Sequence, residues 1–254
     1  MVLYTSRENY CMKFALAREH LDFFYQHHYI EFENLLTPQE VDTLKKCMFE
    51  TLAKRLNTHE EKLKTQTFTS LYKAGFDMWR SSDTIKKIVL RPQFAEIASN
   101  LVKKKPLRIG FDQAFYIPKI FHESNESMPP LFKRETSLAS TSCLQGIACG
   151  LILHLDAPAV PTENLELSIQ EDVQKLIPIP RQAGSGIFFS PDAPLSLEHL
   201  ISTPGICQIL IAYTKDITLY RLCEDDPQTH IYKKMGYVFG DRLKNTSHPL
   251  IFRG

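Results

Sequence analysis

The sequence predicts an α+β protein built on an antiparallel sheet, for three reasons. Apolar residues recur three and four apart through the first hundred residues, which is the periodicity of helices. After Pro106 the texture changes to short runs of branched and aromatic residues bounded by glycine or proline, which is the texture of strands. Helices come first and strands after, without the β-α alternation that a doubly wound parallel sheet requires. The organisation expected is one domain over residues 1–254: mainly helical in 1–105, a β-sandwich in 106–215, and a packed C-terminal segment in 216–254.

Residues 19–29 carry a helical pattern that brings together Leu21, Phe24, Tyr25 and His28, and residues 29–32 read as a short strand. Thr37-Pro38-Gln39-Glu40 then supplies a capping hydroxyl, a proline at the first helical position and a glutamate three residues after the cap. Together these satisfy the orphan amides of a helix start. The helix is expected over residues 38–55, with Val41, Leu44, Met48 and Leu52 on one face. Ser81-Ser82-Asp83 caps a further helix to Leu90, and Pro92 begins another through Val102. Residues 107–117, 146–155, 186–190 and 206–214 are the expected strands, with a polar loop at 121–134 and a long proline-bearing connection at 157–184.

Composition excludes several classes. With 43% hydrophobic and 23% charged residues the chain has the balance of an ordinary globular protein. Thirty basic against twenty-nine acidic side chains give a formal charge of +1, so no global field draws it to nucleic acid or anionic lipid. The compact run Lys103-Lys104-Lys105 reads as a helix terminus, where cations complement the dipole. The six cysteines form no C-x-x-C pair, and no apolar run reaches the roughly 18 residues of a membrane span. A reducing, cytoplasmic compartment is expected, with a small molecule or a protein as partner and neither nucleic acid nor membrane.

The order of these elements resembles that of the phytanoyl-CoA-hydroxylase-like branch of the Fe(II)/2-oxoglutarate-dependent oxygenases. Residues 23–41, ending in Thr37-Pro38-Gln39-Glu40-Val41, are similar to the opening of that family. Trp79-Arg80-Ser81-Ser82 and residues 108–116 look like the segment leading into its first barrel strand, and residues 184–191 and 208–213 like its late strands. The resemblance covers about residues 20–215. It implies a double-stranded β-helix, the jelly-roll of cupins, flanked by N-terminal helices and holding a cleft between its sheets. Fold alone does not establish activity.

Family enzymes hold Fe(II) with two histidines and one carboxylate, and anchor 2-oxoglutarate with a basic side chain on a late strand. Iron and 2-oxoglutarate are therefore the cofactors that the resemblance implies for an active protein. The register puts the family's H-x-D after Tyr116, in the loop where His122 stands and position 124 is serine. The distal histidine is expected near residues 192–195, which contain none, and the basic anchor near Ile206-Cys207-Gln208, which supplies no cation. One formal H-x-D exists, His154-Leu155-Asp156; residues two apart on a strand share a face, so the two could bind one metal. His199 is the candidate third ligand, against the alternative of a solvent-facing polar residue. Tyr116 and Gln208 are the candidate cofactor contacts, through a hydroxyl and a neutral amide. No catalytic residue is assigned.

Three functions stay open on the sequence. The favoured one is an oxygenase-like protein with a degenerate site that binds a small molecule or partner. The second is an active hydroxylase using His154, Asp156 and His199. The third is a divalent-metal-responsive regulator using the nine histidines, although no basic recognition helix is present.

Overall fold

The computed structural model describes residues 16–117, 132, 136–156, 180, 182–195 and 205–254. Helix α1 (Arg18–His27) leads into strand β1 (Tyr29–Phe32), and α2 (Pro38–Arg55) follows. The α2 start is closed reciprocally: Thr37 N donates to Glu40 Oε2 at 2.9 Å and Glu40 N donates to Thr37 Oγ1 at 3.3 Å. Val41, Leu44, Met48 and Leu52 form its buried stripe. Helices α3 (Phe68–Ala74), α4 (Asp83–Val89, capped by Ser82) and α5 (Pro92–Val102) complete the helical part.

Strands β2 (Leu107–Tyr116), β3 (Leu144–His154), β4 (Gly186–Phe189), β5 (Cys207–Tyr220) and β6 (Leu250–Phe252) join β1 in one antiparallel sheet of order β1-β4-β3-β5-β2-β6. Both faces of this sheet are covered. One packs against α1, α2, α4 and α5 through Leu151, Leu153, Ile209, Ile211 and Tyr213. The other packs Ile152, Phe189 and Leu210 against Phe68 and Tyr72 of α3 and against Tyr232, Tyr237 and Leu243. At Gly150 the Phe189 ring lies over the backbone so closely that a Cβ would sit 2.1 Å from its Cζ.

The C-terminal residues are tied to the sheet by a buried polar network. His248 is fully buried. Arg80 Nη2 lies 3.3 Å from its Nε2, which must therefore accept, and its Nδ1 lies 3.0 Å from the Tyr237 hydroxyl. Arg108 donates to the His248 carbonyl at 2.7 Å and pairs with Asp216. Burial, then the Arg80 and Arg108 charges, pull the His248 pKa down to about 3, so the ring is neutral. Beyond β6, the outer side of β2 is covered by the segment Gly75–Asp77: Ala114 N donates to Gly75 O and Asp77 N to Asp112 O, each at 2.8 Å.

Candidate functional site

The candidate residues gather where β2, β3 and β5 end together. Register sets which face each side chain takes. Tyr116 lies opposite Cys207, whereas His154 and Phe115 both lie opposite Gln208. Paired residues share a face and successive residues alternate. Tyr116 and Cys207 consequently face the helical layer, where the Phe49 ring of α2 meets Tyr116 edge-on at 5.0 Å. His154 and Gln208 face the opposite side with Ile152 and Leu210. The two candidate cofactor contacts, Tyr116 and Gln208, are therefore on different faces of the sheet. His199 and His122 lie outside the described residues.

His154 and Gln208 are brought together. The Gln208 side-chain amide lies 2.8 Å from His154 Nδ1, and this hydrogen bond fixes the ring. Burial, the largest influence, lowers the His154 pKa against the raising effect of Asp156. The backbone here is fixed as well: His154 N donates to Ser185 O at 3.0 Å and Gly184 N to His154 O at 2.9 Å.

Strand β3 ends at His154, Leu155 N still donates to Cys207 O at 3.1 Å, and the Asp156 carboxylate holds the start of β5. One oxygen accepts from Cys207 N and the other pairs with Lys45 Nζ, which α2 projects toward it. Burial and then the charges of Cys207 and Asp156 raise the Tyr116 pKa, which keeps the phenol protonated. Burial likewise drives the Cys207 thiol far above its ordinary value, which removes it as a nucleophile.

The polar groups of these residues are largely engaged with one another. Asp156 is paired with Lys45 and the Cys207 amide, and His154 Nδ1 is hydrogen-bonded to Gln208. Among the described residues no three His, Cys, Asp or Glu side chains are grouped to hold a metal ion. Gln208 carries no charge, where a co-substrate anchor of the usual kind offers a charged donor fork. Ser185 Oγ, buried and unpartnered, offers a hydroxyl but no charge. Sequence reasoning missed Lys45 and Ser185. Lys45 follows Leu44 on a partly exposed flank of α2, and no local pattern marks it as the partner of a residue 111 positions away.

No family model matches the chain and no curated protein sequence matches it. Solved structures do share its architecture. The non-heme alpha ketoglutarate dependent carbocyclase SnoK from nogalamycin biosynthesis is 17% identical, with a TM-score of 0.61 over 92% of this chain and 96% of that one. The epimerase SnoN from the same biosynthesis is 18% identical, with a TM-score of 0.61 over 92% and 98%, and has also been solved with Fe3+, alpha ketoglutarate and nogalamycin RO. CytC3, solved with Fe(II) and alpha-ketoglutarate, is 11% identical, with a TM-score of 0.52 over 92% and 88%. At such identities the likeness establishes architecture, and on that ground the chain has the fold of the non-heme alpha-ketoglutarate-dependent enzymes.

Proposed function

We propose that this chain is an Fe(II)/2-oxoglutarate oxygenase-like protein whose site has lost the usual metal and co-substrate residues, and that it binds a small molecule or a protein partner in the cleft. In this reading it is a cytoplasmic relative of the phytanoyl-CoA-hydroxylase-like branch, and its six-stranded sheet is one half of a double-stranded β-helix. The observation that carries the reading is the commitment of Asp156 to Lys45 and the Cys207 amide. A carboxylate held in this way supports the strand end electrostatically and would have to give up these partners to ligate a metal. The His154–Gln208 pair supports the same reading, because it sets a neutral amide where a cationic anchor is expected.

The test is an anaerobic titration of the intact protein with Fe(II) and 2-oxoglutarate, followed by visible absorption and by succinate release after oxygen is admitted. A flat spectrum and no succinate are expected. A charge-transfer band abolished by His154→Ala would overturn the proposal and support the hydroxylase built on His154, Asp156 and His199.

A further inference from the structure

A second feature lies away from the strand ends. A groove of about 610 Å³ runs between α3 and the 3₁₀ turn Ile231–Met235, and the end of α2 closes it. It is a shallow groove open to solvent on one side. Ala74, Phe76, Ile231 and Met235 give it an apolar lining. Its charged lining is one-sided: Arg55, Lys73, Arg80 and Lys234 stand against a single carboxylate, Asp77.

The four cations differ in how they are held. Arg55 donates to the carbonyls of Ala74 at 2.7 Å, Phe76 and Asp77 at 2.9 Å, and to Ser81 Oγ at 2.7 Å. These acceptors fix the guanidinium, and the buried carboxylates of Asp112 and Asp77 stand near enough to offset its charge. Arg80 pairs with Asp77 at 2.8 Å, and the indole Nε1 of Trp79 also donates to that carboxylate, at 3.2 Å. Asp77 is thus consumed within the wall. Lys73 on α3 and Lys234 on the facing turn are exposed, and neither ammonium has an ion pair among the described residues. With Arg80 paired to Asp77 and Arg55 offset by Asp112, Lys73 and Lys234 supply the uncompensated positive charge of the groove, in a chain whose total is only +1.

We propose that this groove binds an anionic amphiphile, a small molecule with a carboxylate or phosphate head and a short hydrocarbon body. The head lies between Lys73 and Lys234 over the fixed Arg55, and the body lies on Phe76, Ile231 and Met235. The apolar lining selects against a naked polyanion and the cationic excess against a neutral lipid. The site is independent of the strand-end residues, so its test does not depend on the fate of the oxygenase chemistry.

The experiment is calorimetric titration of the full chain with octanoate and with octyl phosphate, and in parallel with octanol, octyltrimethylammonium and a hexaglutamate peptide. Saturable binding of octanoate or octyl phosphate is expected, and the tighter of the two identifies the head group. Each methylene removed weakens binding about three- to fourfold. Lys73→Ser combined with Lys234→Ser weakens it about tenfold. Because both lysines are exposed and unpaired, that variant keeps the thermal midpoint of the parent. The proposal is overturned if neither anion binds saturably, if the double variant binds equally well, if octyltrimethylammonium matches the anions, or if hexaglutamate competes as strongly as octyl phosphate. The last result would assign the groove to an acidic protein segment.

Discussion

Replacing Lys45 by methionine removes the cation from Asp156 while retaining most of the side-chain volume. The two side chains are 32% and 16% exposed. The pair therefore lies between a surface ion pair, worth about 0.2–1 kcal/mol, and a buried one, whose loss of one partner costs about 3–5 kcal/mol. Lys45→Met is expected to cost about 2 kcal/mol, because the half-buried carboxylate keeps only the Cys207 amide. Asp156→Asn should cost about 1 kcal/mol, since an amide oxygen can still accept from Cys207 N. The double variant should cost less than the sum by about 1 kcal/mol, which is the coupling of residues in direct contact. Urea unfolding followed by the fluorescence of the single tryptophan, Trp79, measures all four corners of the cycle. A coupling indistinguishable from zero would mean that Lys45 does not hold Asp156, and the argument that this carboxylate is withdrawn from metal chemistry would lose its premise.

Three further outcomes follow from the packing and the buried network. Gly150→Ala places a methyl group against the fully buried Phe189 ring and should cost about 2–3 kcal/mol in denaturant unfolding; the penalty should shrink in a Phe189→Leu background, and an equal cost there would refute the steric account. His248 has a folded-state pKa near 3, below its ordinary value of 6.5. Its contribution is therefore present above pH 6.5 and is lost as pH falls toward 3, at up to about 1.4 kcal/mol per pH unit. The stability of His248→Gln should accordingly depend less on pH between 6.5 and 4 than that of the parent, and parallel profiles would sink the idea. Thr37→Ala removes the α2 cap and should lower stability by about 1 kcal/mol, whereas Thr37→Ser should be nearly neutral by the same measurement.

Local signals were the legible ones. The capping box at Thr37 and the stripe Val41, Leu44, Met48 and Leu52 are decided within a few residues, and the structure contains both. The face expected for the first helix is different from the one found. Only Phe24 is buried in α1, Tyr25 is 46% exposed, and His28 ends the helix in the left-handed region at φ 65°. Strand β5 continues to Tyr220, past the expected end at Thr214, because pairing of Leu219 and Tyr220 with Gln145 and Leu144 carries the ladder through the polar Lys215-Asp216 step. At the strand ends the H-x-D spacing was legible but its geometry was not. The spacing could not show that Asp156 would pair with Lys45 and the Cys207 amide just past the end of the strand. The partners that decide the matter come from elsewhere in the chain: Lys45 lies 111 residues from Asp156, and Gln208 lies 54 residues from His154. Distances of that kind are set by the fold and leave no periodic trace in the sequence.

The way the outer side of β2 is covered bears on how the molecule behaves in a crowd. Both terminal strands of the described sheet are short, β1 with four residues and β6 with three. β6 and the Gly75–Asp77 segment occupy separate stretches of β2 that would otherwise present unpaired amides and carbonyls. A sheet finished in this manner offers little purchase to a strand from another molecule, which is the usual start of ordered aggregation. The last few residues thus act as a guard as well as a brace. A chain shortened to end at His248 would uncover the Leu107–Ile109 stretch and should gain a tendency to self-associate, even where most of its core survives.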